Sequence, residues 1–208
     1  FLFVCQFFLP LAEAGDFEST VKGLGENSRA KLKKAVVALG TLGDVKALPI
    51  LEALKKKRLR VTEDKQLVIL DDSGDNGNDA LSGKAVDLKE LSQKKPKVNN
   101  SVRRVLVVAI AKLKLNSKDS NIRLSAAQEL LKRPSNSVTE LIETALEIEK
   151  NEAVRETLSM VLAKLYLNSD DRTKRLTSLK TINEIGGSSF KLELEELLEK
   201  DENGKYLE

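Results

Sequence analysis

"AKLKLNS" at Ala111–Ser117 and "AKLYLNS" at Ala163–Ser169 differ at one position, and their starts lie 52 residues apart. The likeness runs further. Residues 102–119, "VRRVLVVAIAKLKLNSKD", and residues 154–171, "VRETLSMVLAKLYLNSDD", are identical at ten of eighteen positions without a gap. Arg123-Leu124 falls on Arg175-Leu176, and Glu143, Leu146 and Glu147 fall on Glu195, Leu198 and Glu199. A repeat of this length reads as a stacked structural unit.

Each copy reads as three helices. The first, Val102–Leu115, is apolar nearly all round, at Val105, Leu106, Val107, Val108, Ile110, Leu113 and Leu115. A helix of that kind is buried on every side. The second, about 121–132, places Ile122, Ala126 and Leu130 on one stripe, with Leu124, Ala127 and Leu131 beside it. The third spans about 137–149. The second copy repeats the plan at about 154–167, 172–185 and 189–200. At the joints, Asn116 and Asn168 suit a left-handed helix end. Ser117 and Asp119, like Ser169 and Asp171, stand where the next helix needs an N-terminal cap.

A related helix pair comes earlier, in "SRAKLKKAVVALGTLGDVKALPILEALKKKRL" (Ser28–Leu59). Leu32, Ala35 and Leu39 share the spacing of Leu124, Ala127 and Leu131. Ser28 is read as an N-cap, Gly40 and Gly43 as helix ends, and Pro49 as a residue near a helix start. One stretch breaks the helical period. "RLRVTEDKQLVILDD" alternates at Leu59 and Val61, then at Leu67 and Ile69, with Glu63–Lys65 between, which predicts a β-hairpin. "SGDNGNDALSGKAVD" after it reads as a loop, and "QKKPKVNN" leads back into helix. The expected fold is all-α: a HEAT/armadillo-like α-solenoid of helix pairs and triplets, with a small β-hairpin insertion at about 58–98.

Composition narrows the chemistry. The 208 residues are 41% hydrophobic, 32% charged and 4% aromatic, with no His, no Trp and one Cys. Without His, the commonest general base and metal ligand is missing. A single Cys forms no internal disulfide and no Cys-based zinc site. With few aromatics, a stacking platform for single-stranded nucleic acid is not expected. A net charge of +3 is too small to argue for nucleic acid. Charge is instead separated along the chain. Residues 84–104 carry seven basic side chains against Asp87 and Glu90, and residues 189–208 carry three Lys against seven acidic residues. Such a polarity can orient a partner.

The chain opens "FLFVCQFFLPLAEAGDF". An apolar run, too short for a membrane span, ends in the A-x-A pattern of Ala12 and Ala14. This reads as a truncated secretory signal peptide over 1–14, followed by a helical repeat domain over 15–208.

Catalytic and ligand motifs fail on inspection. "DDSGDNGND" departs from the EF-hand register, with Asn76 at its sixth position and Ser82 at its twelfth. "SRAK" and "SQKK" match S-x-x-K but lack S-D-N and K-T-G partners. "GLGENS" lacks a third Gly, and no G-x-x-x-x-G-K-[ST] loop occurs. No catalytic, cofactor or metal site is expected, and a binding role is favoured over an enzyme.

The order of several segments carries a resemblance. "LGDVKALPILEALKKKRLRV" (Leu42–Val61), "LVILDD" (Leu67–Asp72), "ALSGKAVD" (Ala80–Asp87), "KVNNSVRR" (Lys97–Arg104), "IRLSAAQELL" (Ile122–Leu131) and "EKDENGKYLE" (Glu199–Glu208) follow one another in turn. Together they resemble the N-terminal extracytoplasmic, HEAT-like domain of the permease subunit of bacterial urea-type ABC transporters. That subunit belongs to the branched-chain amino-acid-type permeases. The resemblance implies export to the periplasmic side of the inner membrane. It implies attachment to the membrane only through a permease region that follows this chain. It also implies a protein partner, the substrate-binding protein or another transporter subunit. The expected partner surface is the basic stretch Lys94, Lys95, Lys97, Asn99, Asn100, Arg103 and Arg104. The alternative is a stand-alone exported HEAT-like scaffold.

Overall fold

The computed structural model describes residues 14–72, 74, 76–89, 91–198 and 202–205. Apart from Ala14, the expected signal segment, with Cys5, lies outside the described residues. The chain forms two compact units, one ending at Lys114 and the other beginning at Leu115. The boundary falls inside the first copy of the repeated joint.

The first unit opens with α1 (Ala14–Lys22), a 3-10 turn at Gly23–Gly25, α2 (Arg29–Leu42) and α3 (Ala47–Lys55). Ser28 caps α2, its side chain accepting from the Lys31 amide at 3.5 Å. Gly43 ends α2 in the left-handed region, φ 71°. Gly40 does not end it. It is buried within the helix, where an added Cβ would lie 2.8 Å from Ala109 Cβ and 3.0 Å from Ala109 Cα. Its missing side chain is what lets α2 approach α4 (Asn100–Leu115). Leu32, Val36 and Leu39 of α2 share one core with Ile50 and Leu54 of α3 and with Leu106 and Ile110 of α4. As its sequence predicts, α4 presents no fully exposed apolar residue along Val105–Leu115.

Between α3 and α4 lies a five-stranded antiparallel sheet, in the order Ala85–Asp87, Asn76–Asp79, Leu67–Leu70, Leu59–Thr62, Gln93–Lys94. β1 (Leu59–Thr62) and β2 (Leu67–Leu70) form the expected hairpin, with Leu59 opposite Ile69 and Val61 opposite Leu67. The stretch read as a loop is a correction. It contains β3 (Asn76–Asp79) and β4 (Ala85–Asp87), and β5 (Gln93–Lys94) returns to pair with β1. These strands lack apolar alternation because backbone pairing holds them. Gly77 shows why glycine serves in a strand here. A Cβ would sit 2.5 Å from Val68 Cγ1 and 2.8 Å from the Ile69 carbonyl oxygen. The acidic residues of this stretch shape turns. Asp71 Oδ1 accepts from the Gly74 amide at 2.8 Å. Asp79 Oδ1 accepts from the amides of Leu81 and Ser82 and from the Ser82 hydroxyl. Burial works against the Asp79 carboxylate, but these bonds and one from Gln66 hold its pKa below the ordinary value.

The second unit contains α5 (Ser120–Lys132), α6 (Thr139–Ile148), α7 (Glu152–Leu167), α8 (Arg172–Ile185) and α9 (Lys191–Glu196). α6 and α9 each follow a 3-10 turn, at Asn136–Val138 and Gly187–Phe190. α7 is the central helix and packs against α5, α6 and α8. It buries Val154, Leu158 and Val161 completely. On α5 the buried stripe is Ala126, Ala127 and Leu130, whereas Ile122 is 41% exposed. The expected stripe is therefore one turn too long, because burial of α5 begins at the small residues that allow close packing. Helices dominate the chain, with one small antiparallel sheet.

The two joints have matching geometry. Asp119 caps α5 through the Asn121 amide at 2.8 Å, and Asp171 caps α8 through the Thr173 amide at 2.8 Å. The Ser117 hydroxyl accepts from the Asp119 amide, and the Ser169 hydroxyl accepts from the Asp171 amide, both at 3.2 Å. Arg123 Nη1 donates to the carbonyls of Ser117 and Lys118 at 2.8 and 3.1 Å. Arg175 Nη1 donates to those of Ser169 and Asp170 at 2.8 and 3.0 Å. The left-handed asparagine ends do not occur. Asn168 has φ −96°, and Lys57 and Lys65 are the non-glycine residues with positive φ among those described. At the end of α7 the Asn168 side chain donates to the Lys164 carbonyl at 3.2 Å and the Ser169 amide to the Tyr166 carbonyl at 3.0 Å, while the guanidinium holds the loop carbonyls that follow.

Candidate docking surface

The sequence-predicted surface lies wholly in the first unit. Lys94 is in β5, opposite Val61. Lys94, Lys95 and Lys97 are exposed, as are Asn100, Arg103 and Arg104 on the first turns of α4. Asn99 is different. Its Oδ1 accepts from the Val102 amide and the Ser101 hydroxyl, both at 3.0 Å. It is the N-cap that starts α4, and its carbonyl is already engaged.

The structure sorts the cations between two concavities. Lys94, Lys95 and Lys97 line a groove of about 620 Å³ together with Lys22 and Lys65. Glu26, Glu63 and Asp64 line it too, so five lysines face three carboxylates. Glu26 is paired with Lys31 at 3.3 Å, which reduces its hold on the groove. Lys95 and Arg103 also line a second, smaller pocket of about 250 Å³ with an apolar floor. Arg104 lines neither of these concavities. Sequence reasoning missed the small pocket, because its walls come from α3, β1, the segment after β5 and α4. The available signal was Lys55 and Lys57 flanking the apolar Leu54 and Leu59.

The second unit has its own concavity of about 560 Å³, lined in part by Glu143, Tyr166 and Lys174. Tyr166 donates to Glu143 Oε1 at 2.5 Å, and the Lys174 ammonium lies 4.9 Å from the Tyr166 ring centre. Burial, with the Glu143 hydrogen bond, pushes the Tyr166 phenol up to about 12. It is a permanent donor near neutral pH. Elsewhere in this unit, Glu193 is held below the ordinary carboxylate value by the hydrogen bond from Lys164 at 2.9 Å. These groups satisfy one another in fixed pairs.

Among the described residues, no group of three His, Cys, Asp or Glu converges to hold a metal ion. Among them, no helix is long and apolar enough to cross a membrane. No family model matches the chain, and no curated protein matches it.

Proposed function

We propose that this chain is the non-catalytic extracytoplasmic domain of a urea-type ABC transporter permease, and that it docks a protein partner. The substrate-binding protein is the leading partner. On this reading the domain is exported, and a permease region beyond this chain holds it at the inner membrane. The helix pair and triplets form a HEAT/armadillo-like solenoid, and the sheet is an insertion that presents basic residues.

One observation carries the docking role: Lys94, Lys95, Lys97 and Arg103 stand exposed around two concavities on one unit. Exposed cations beside concave surface favour association with an acidic partner and speed its encounter. The ordered segments from Leu42–Val61 to Glu199–Glu208 support the transporter assignment by resemblance. The matching joints support a repeated unit, since the same caps and loop bonds recur in both copies.

The test is made in the permease itself. Deleting residues 15–208 is expected to reduce urea uptake, and the immobilised chain is expected to retain the cognate substrate-binding protein. Unchanged uptake together with no retention, with or without urea, overturns the proposal. Retention of other exported proteins with uptake unchanged would favour a free-standing scaffold.

A further inference from the structure

The small pocket has a composition unlike the groove beside it. Its floor is Leu54, Leu59 and Leu106, each at most 2% exposed, with Val98 and Val107 half-buried. Its rim carries Lys55, Lys57, Lys95 and Arg103, all exposed, and no acidic residue lines it. None of the four cations forms an ion pair among the described residues.

Lys57 adds a second, independent observation. The end of α3 is a Schellman motif: the Arg58 amide donates to Ala53 O at 2.7 Å, and the Lys57 amide to Leu54 O at 3.2 Å. The left-handed residue of that motif is ordinarily Gly, yet here it is Lys57 at φ 60°. A side chain in that region carries backbone strain. The strained residue supplies one of the four rim charges.

Size and charge select the occupant. The volume of about 250 Å³ is below the roughly 300–1,000 Å³ usual for small-molecule sites. It suits one apolar side chain used as an anchor. Lys94, Lys97 and Arg104, close to Lys95 and Arg103 along the chain, are further exposed cations.

We propose that this pocket receives one apolar side chain from an acidic segment of the partner protein, with the rim cations pairing the carboxylates on either side. The proposal rests on the docking reading above and names the chemistry of the docked segment.

The experiment uses the whole chain and a fluorescein-labelled peptide of four glutamates around two leucines, followed by fluorescence anisotropy. Binding is expected at low salt and weakens as salt rises. Replacing the leucines by alanine should weaken it at least about fivefold. Lys95→Glu with Arg103→Glu should weaken it roughly tenfold. Lys57→Gly keeps the test independent of folding. It should raise the unfolding temperature and still weaken peptide binding about twofold. Equal affinity for leucine and alanine peptides, or no binding, overturns the proposal. Two further results also overturn it. One is a dimer of the chain that Arg103→Glu dissolves, which would assign the pocket to a second copy. The other is binding to phosphatidylglycerol vesicles with none to the peptide. The two readings fail separately. If the double variant loses the peptide but still retains the substrate-binding protein, this inference is wrong and docking stands. If the peptide binds and the substrate-binding protein does not, the transporter reading is wrong and the pocket assignment stands.

Discussion

The two joints share their caps and their guanidinium hold on the loop, and differ in contact at the one position where "AKLKLNS" and "AKLYLNS" differ. In the first copy that position is Lys114, whose ammonium lies 2.9 Å from Glu52 of α3. In the second it is Tyr166, whose hydroxyl donates to Glu143 of α6. One substitution therefore turns the last turn of the helix toward a different neighbour, and the connection beneath it stays the same. A repeat diverges at the residues that reach outward, because the loop needs its own hydrogen bonds in every copy.

Arg123 offers the strongest way to break the first joint. Its Nε and Nη2 bind Glu149 at 2.6 and 2.9 Å, and Nη1 holds the loop. Glu149 in turn accepts from the amides of Lys150 and Asn151, which start the approach to α7. Arg123→Ala leaves a nearly buried carboxylate and two carbonyls without this donor. It should cost about 2–3 kcal/mol in urea unfolding. A loss below about 0.5 kcal/mol would mean that the clamp is dispensable.

Acid probes the same clamp without a mutation. The hydrogen bond from Arg123, ahead of the opposing burial and the amide bonds, lowers the Glu149 pKa from 4.5 to about 2. The folded value lies below the ordinary one, so the stabilisation is complete above about 4.5 and is lost as pH falls toward 2. The contribution is roughly 1–2 kcal/mol after allowing for solvent screening. Glu149→Gln should flatten the stability profile in that window relative to the parent. An unchanged acid slope would contradict this.

The divergent position comes next. Tyr166→Phe keeps the ring under Lys174 but removes the bond to Glu143, and should cost about 1 kcal/mol. Lys114→Met removes a partly exposed ion pair and should cost less, about 0.5 kcal/mol. The reverse order in thermal unfolding would undo the assignment of the two neighbours.

The smallest effects test sameness. Asp119→Ala and Asp171→Ala each remove one N-cap, for about 0.5–1 kcal/mol. The two losses should agree and should add in the double variant to within about 0.5 kcal/mol. Unequal losses would mean that the joints share sequence but not energetics.

Much of this was legible in the sequence wherever side chains do the specifying. The helices recur at the repeat spacing, Asp119 and Asp171 cap where a cap is needed, and Leu59–Ile69 alternates as a hairpin must. Strands β3 to β5 were not legible. "NGND", "AVD" and "QK" have no apolar period, and their pairing depends on backbone bonds and on the space that Gly77 leaves for Val68. Gly40 misled for a related reason: a glycine within a helix serves the neighbouring helix, and its own sequence window cannot show that neighbour. On the docking surface, the basic stretch is readable in the sequence, whereas the capping role of Asn99 shows only in the structure. The apolar pocket needed four separate segments brought together before its rim of cations meant anything.

The docking claim is tested most directly by calorimetric titration of the whole chain with the substrate-binding protein of a urea-type transporter, at low and at high salt. Salt-sensitive binding that Lys95→Glu with Arg103→Glu weakens about tenfold is the expected result. No binding at either salt, or binding that rising salt leaves unchanged, would contradict it.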